Sequence, residues 1–233
     1  MLKIQTTSIH FSSFEVLREI DLSFNQGENI LIMGTNGSGK STLLKYMLGL
    51  LPNQTGEVLY QGISLLSDQK FALSDEFGVF FPEYRVYDFL TVQENLEVFA
   101  LYQGLDDVDY GQKMADFHIS DFARVKARNL SLGNYKKLCL AVSLLGNPKL
   151  MVLDEPFLGV DKVSIPIILA TLQRMQQENG ALTLLTTHEL EPVEDWYTRA
   201  MYIQDKKIHL NLTKAELSEQ FGTLANFQHE IYA

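Results

Sequence analysis

The sequence predicts an α/β fold around a mostly parallel sheet, and three observations predict it. A glycine-rich loop at residues 34–42 lies between an apolar, strand-like run and a helix-like run. Leu150-Met151-Val152-Leu153 is short and wholly apolar, as strands buried on both faces are, and residues 181–186 form a second such run. Strand-like and helix-like segments alternate along the chain, which calls for crossover helices between parallel strands.

Taken in order, residues 16–24, 28–33 and 57–60 read as strands, the last closed by a turn near Gly62. Residues 41–50 read as a helix, with Leu43, Leu44, Met47 and Leu48 on one face. From about residue 88 to 128 the pattern turns helical and more charged. Glu94, Leu96, Glu97, Val98, Ala100 and Leu101 lead it, and Asp106, Asp107 and Asp109 fall in a loop. Residues 136–145 read as a helix stopped by Gly146-Asn147-Pro148. The helical middle therefore reads as an insertion into the sheet.

With 233 residues the chain can bury a full core as one α/β domain, and 46% apolar residues excludes a disordered class. A net charge of −10, without a block of lysine or arginine, argues against nucleic acid or bare anionic lipid as a direct partner. The single cysteine, Cys139, has apolar neighbours and reads as packing in a reducing compartment. No apolar run approaches a bilayer span, and the first residues lack a signal-peptide plan, so a soluble, cytosolic chain is expected. His10, His118, His209 and His229 read as surface residues.

Chemistry concentrates in four places. Gly34-Thr35-Asn36-Gly37-Ser38-Gly39-Lys40-Ser41-Thr42 fits the phosphate-binding pattern G-x-x-x-x-G-K-S/T at every fixed position. Its glycines let backbone N–H groups curl around phosphates, and the helix N-terminus adds a positive dipole end. Lys40 is expected to reach the β- and γ-phosphates of a nucleoside triphosphate, and the Ser41 hydroxyl to hold Mg2+. Asp154-Glu155 ends an apolar strand, where ligands sit in open α/β sheets, so one carboxylate suits the Mg2+ shell and the other an attacking water. His188 follows the next buried run, and a neutral imidazole there can donate to a γ-phosphate; a helix-capping polar segment is the plainer alternative. Leu130-Ser131-Leu132-Gly133-Asn134 precedes a helix and offers either a second anion cradle or an ordinary N-cap.

In this order the motifs resemble the ATP-binding subunit of an ATP-binding cassette (ABC) transporter over nearly the whole chain. Gly34 to Ser41 resembles its Walker A loop, Leu150 to Glu155 its Walker B strand, and Leu130 to Asn134 its signature motif. Gly159-Val160-Asp161 resembles its D-loop, His188 its switch histidine, and Phe11 the aromatic residue that stacks on adenine. The resemblance implies a P-loop NTPase fold with an antiparallel β-subdomain and an inserted helical subdomain. It places the core at residues 1–82 and 147–233 and the helical part at 83–146. It also implies a head-to-tail dimer with ATP between the Walker motifs of one protomer and Ser131 and Gly133 of the other. In that arrangement Glu155 is the general base, Asp154 and Ser41 serve Mg2+, and a membrane permease subunit docks near Glu83. The chain would then be cytoplasmic and peripheral on the inner face of the cell membrane. The stretch from Phe81-Pro82-Glu83 to Asn95-Leu96 is similar to that of exporter-type subunits.

The chain departs from the family at three places. Glu83 stands where glutamine is usual, so a carboxylate able to bind Mg2+ replaces an amide, and when ionised it donates no hydrogen bond. Leu132 and Asn134 replace a glycine and a glutamine, and the leucine either crowds the backbone approach or points inward. Lys136-Lys137 replaces Gln-Arg. A working ATPase, with room for slowed turnover, follows. The alternatives are a soluble ABC ATPase of a cytosolic assembly system and an ATP-switch module with weak hydrolysis. The final segment from Lys206 is too short for a separate regulatory domain.

Overall fold

The computed structural model describes residues 1–52, 54–68, 73 and 75–232. Along the chain run β1 (Leu2–Phe11), β2 (Phe14–Phe24), β3 (Asn29–Gly34), α1 (Lys40–Met47), β4 (Glu57–Tyr60), β5 (Ile63–Ser64) and β6 (Phe77–Phe80). Then come α2 (Val92–Tyr102), α3 (Tyr110–Asp116), α4 (Leu132–Ser143), β7 (Leu150–Asp154), α5 (Ser164–Asn179) and β8 (Leu182–Thr186). The last elements are β9 (Arg199–Gln204), β10 (Lys207–Thr213), α6 (Lys214–Phe221) and α7 (Leu224–Tyr232). Two compact units emerge, Met1–Ser74 with Leu182–Ala233, and Asp75–Ala181.

The first unit carries the expected parallel strands. β3 is buried at every residue and lies parallel to both β8 and β9, while β10 returns antiparallel to β9. A second sheet, ordered β2-β1-β4-β5, is antiparallel at each pairing. β1 shows the period of two: Leu2, Ile4 and Thr6 are buried, and Lys3, Gln5 and Thr7 are exposed. β2 begins at Phe14, two residues before the expected strand, because Phe14 pairs with Phe11 across the hairpin turn. α1 ends at Met47, short of the expected Leu50, because Gly49 takes a left-handed φ of 63° that closes the helix.

In the second unit β6 and β7 pair in parallel, Phe77 opposite Leu150. α2 begins with a capping box: the Thr91 hydroxyl accepts from the Glu94 N–H, and the Glu94 carboxylate accepts from the Thr91 N–H. Asp109 of the acidic loop caps α3, accepting from the Gln112 N–H at 2.8 Å. Two buried charges tie the helices together. Lys113 Nζ donates to the Leu144 carbonyl at 2.9 Å and to Asn147 Oδ1 at 2.8 Å, and burial lowers its pKa to about 8. Asp116 accepts from Arg174 at 2.6 Å and from Gln112 at 2.8 Å.

α4 starts at Leu132, four residues ahead of the expected helix, because Ser131 supplies an N-cap, accepting from the Asn134 N–H at 3.3 Å. Cys139 is buried in this helix, and burial pushes its thiol up to about 11, in keeping with a packing role. Among the described residues no helix is long and apolar enough to cross a membrane.

Candidate functional site

In the first unit the glycine loop leaves the buried end of β3 and enters α1. Glycine is required at two of its positions by close approach. A Cβ on Gly34 would come to 2.6 Å from the Ile203 carbonyl oxygen, and one on Gly39 to 2.7 Å from a Val16 methyl. Gly37, at φ 79°, has nothing within 4 Å of such a Cβ and owes its identity to backbone conformation alone. The turn closes where the Ser38 N–H donates to the Thr35 carbonyl at 3.1 Å, leaving Thr35, Asn36 and Gly37 exposed. Lys40 is only 8% exposed, and its ammonium donates to the carbonyls of Gly34 at 2.9 Å and Thr35 at 3.1 Å.

Whether this loop suits a phosphate follows from its own atoms. The Ser38 hydroxyl is buried with no hydrogen-bond partner among the described residues. It sits in a loop that also supplies a lysine ammonium and the first N–H groups of α1, with Ser41 and Thr42 in the first turn. An unpartnered Ser38 hydroxyl beside the first N–H groups of a helix matches an anion with several acceptor oxygens. The loop fits a phosphate chain.

His188 is exposed just past β8, where Thr187 Oγ1 accepts from the Glu189 N–H at 3.0 Å. His188 and Gly34 line one small cavity, so the tertiary fold brings the histidine to the start of the glycine loop. Phe11 ends β1 with its ring 57% exposed, open to stack on a planar group. Its hairpin partner Phe14 is 75% exposed. Sequence reasoning missed this second ring, and its signal was an aromatic at the mirrored position of the Ser12-Ser13 turn.

In the second unit Asp154 closes β7 and is buried, and Glu155 follows with φ 48°. A left-handed φ on a glutamate costs about 1–3 kcal/mol and persists only where the surroundings hold it, a mark of functional sites. Asp154 is a hard oxygen donor of the kind Mg2+ accepts alongside substrate phosphates. Among the described residues there is no cluster of three or more histidine, cysteine, aspartate or glutamate side chains placed to hold a metal ion. Glu83 is exposed in the turn after β6.

α4, which Ser131 caps, brings Gly133 and Asp161 to one place. A Cβ on Gly133 would lie 2.8 Å from the Gly159 carbonyl oxygen, so the helix approaches the 158–161 loop as closely as a glycine allows. Lys137, one turn on and 4% exposed, donates to Asp161 Oδ2 at 3.3 Å and to the Ser164 hydroxyl at 3.2 Å. Asp161 in turn caps α5, accepting from the Ser164 N–H at 2.9 Å and its hydroxyl at 2.8 Å. Desolvation pulls the Asp161 carboxyl up, but the bonds from Ser164 and Lys137 outweigh it and hold it below the usual aspartate range. Lys137 therefore ties α4 to the 158–161 loop and the start of α5, a role its sequence position beside Lys136 did not reveal. Leu132 does not point inward; it is 67% exposed and lies over Gly159.

Gly133→Ala tests this packing. Both sides of the contact are backbone, so neither yields cheaply. We expect a loss of about 1–3 kcal/mol, read as a fall of several degrees in Tm. An unchanged Tm would show that the helix tolerates the methyl and that the close approach is incidental.

Comparison with known proteins gives a consistent result. A sequence model of the ABC transporter family matches residues 17–158. The chain is 31% identical over 222 residues to the ABC transporter ATP-binding protein YdbJ of Bacillus subtilis, covering 94% of this chain and 70% of that one. It is also 31% identical over 203 residues to the putative hemin import ATP-binding protein HrtA of Staphylococcus haemolyticus, covering 84% and 91%. Among solved structures, the ATP-binding subunit of an ABC transporter superposes with a TM-score of 0.87 at 25% identity over all of both chains. A dimeric ATP-binding cassette bound to ADP and phosphate after hydrolysis superposes at 0.82, with 23% identity over 92% of this chain and 99% of that one.

Proposed function

The chain belongs to the ABC transporter family as an ATP-binding subunit that hydrolyses ATP, and on that premise we propose that it drives export through a separate membrane permease. The observation that carries the membrane partner is a surface in the second unit. Phe89, Leu101 and Tyr102 are exposed, Tyr84 is partly exposed beside Glu83, and the rings of Tyr87, Phe89, Phe99 and Tyr102 pack in a chain at 5.7–6.3 Å. Exposed apolar rings gathered in one place mark a protein interaction site. The similarity of residues 81–96 to exporter-type subunits supports the direction of transport. We retain within this reading the division into a core, residues 1–82 and 147–233, and a helical part, 83–146.

Each residue then has a task at an ATP held between two protomers. Phe11 stacks on the adenine. The N–H groups from Gly34 to Thr42 and the Lys40 ammonium hold the β- and γ-phosphates. Ser41 and Asp154 would hold Mg2+, which when bound would supply positive charge to offset that of the phosphates. Glu155 accepts a proton from the attacking water, and His188 donates to the γ-phosphate. Ser131 and Gly133 of the opposite protomer close the site, and Asp161, fixed by Lys137, sets that closing loop. Tighter binding of ATP to the closed dimer than to the open one moves the permease. The resident glutamate at 83 offers the permease a carboxylate, which suits a lysine or arginine on its docking segment.

Mild-detergent purification of the chain from its native membranes tests this reading. An integral membrane protein is expected to co-purify, and substituting Phe89→Ser with Leu101→Ser is expected to release it while leaving ATP binding in place. Recovery with a soluble scaffold protein instead would favour a cytosolic assembly system.

A further inference from the structure

α7 is packed firmly within the first unit. Leu224 and Phe227 are buried, and the Leu224 N–H donates to the Glu194 carboxylate at 3.0 Å. The Phe227 ring meets Tyr202 of β9 edge-on at 5.7 Å and Phe221 of α6 at 4.9 Å. Burying Phe227 in this way turns the next residue, Gln228, into a cavity of about 10 Å³. Its other walls include Gly34, Thr187, His188 and Tyr202. That is room for one water molecule, with Met33 and Leu190 as apolar walls and Thr187, His188, Tyr202 and Gln228 as the residues that carry polar side chains. Among the described residues no hydrogen bond is made by the Gln228 side-chain amide, while Thr187 already accepts from the Glu189 N–H. A primary amide offers both a donor and an acceptor, so it can meet an imidazole in either tautomer, directly or through a single water.

We propose that Gln228 is a positioning residue for His188, and that α7 sets the ring's orientation and tautomer through the cavity they share. Gln228 touches neither ATP nor the attacking water in this scheme; it acts through the histidine. Orientation matters because only one ring nitrogen can face a γ-phosphate, and the other nitrogen's partner decides which one carries the proton. The C-terminal segment, which carries no motif, thereby becomes part of the machinery that senses nucleotide. The effect on turnover rests on the reading of His188 as the γ-phosphate ligand; the positioning of the ring by Gln228 does not.

The test compares Gln228→Met, which keeps length but removes the amide, with Gln228→Glu, which keeps an acceptor, and with Gln220→Met on the exposed side of α6. All are made in the full chain. In the nucleotide-free protein, the His188 ring resonances, assigned by their loss in His188→Ala, are expected to shift in Gln228→Met and stay in place in Gln220→Met. In turnover, Gln228→Met is expected to lower kcat about tenfold with KM for ATP within about twofold, and Gln228→Glu to recover most of it. Unmoved ring resonances together with wild-type kcat in Gln228→Met would overturn the proposal. A large loss of turnover in His188→Ala alone would then still uphold the role of the histidine. Conversely, shifted ring resonances with undiminished turnover in His188→Ala would leave the contact standing and refute that role.

Discussion

Glu155→Gln is expected to bind ATP, to run in solution at twice the protomer mass, and to turn over at least about a hundredfold more slowly than the wild type, the scale general-base catalysis contributes. β7 is buried along its whole length, which holds its carboxyl end rigidly, and Glu155 leaves that end at φ 48°. A glutamine meets the same backbone penalty and nearly the same volume, so the loop should survive the change. What it lacks is a carboxylate to take the proton from water. With chemistry blocked and binding intact, the ATP-closed dimer has no route to open and accumulates. Turnover near wild type in this variant would remove Glu155 from the reaction and leave its strained φ without a catalytic reason. A protein that stays monomeric with ATP would count against the shared site.

Lys40→Ala has the second large effect, the loss of measurable ATP binding. Lys40 does two things that alanine cannot. Its ammonium is a buried positive charge at a loop that fits phosphate, and it ties together the Gly34 and Thr35 carbonyls at 2.9 and 3.1 Å. Alanine leaves those two carbonyls to find other partners and removes the charge that offsets the phosphates. A drop of at least about a hundredfold in affinity, some 2.7 kcal/mol, follows by titration with a fluorescent ATP analogue. Retained micromolar affinity would mean that the backbone N–H groups and α1 suffice, and the lysine would lose its role in binding.

The parts of this molecule that could be read directly are those whose causes lie close together along the chain. The glycine loop needs a strand, three glycines, a lysine and a helix, and all of them fall between Asn29 and Met47. The buried runs that became β7 and β8 carry their own apolar signal, and Asp154, Glu155 and His188 follow directly from where those runs end. Boundaries slipped where a single residue overrode the pattern. Ser131 started α4 early by capping it, and Gly49 stopped α1 early by turning left-handed. For Leu132 two orientations stayed open, crowding the backbone approach or pointing inward, and packing decided between them by leaving the side chain exposed over Gly159.

The sequence by itself determined a phosphate-binding α/β ATPase, because strand, loop and helix propensities are local and the motif residues carry their chemistry with them. Tertiary structure alone decided which distant groups become neighbours. Lys137 reaches Asp161 only because Gly133 lets α4 settle onto the Gly159 carbonyl. Gln228 reaches the cavity of His188 only because Phe227 is buried against Tyr202. Such contacts arise from packing between segments far apart in the chain, and a linear pattern of residue types does not encode a distance between them.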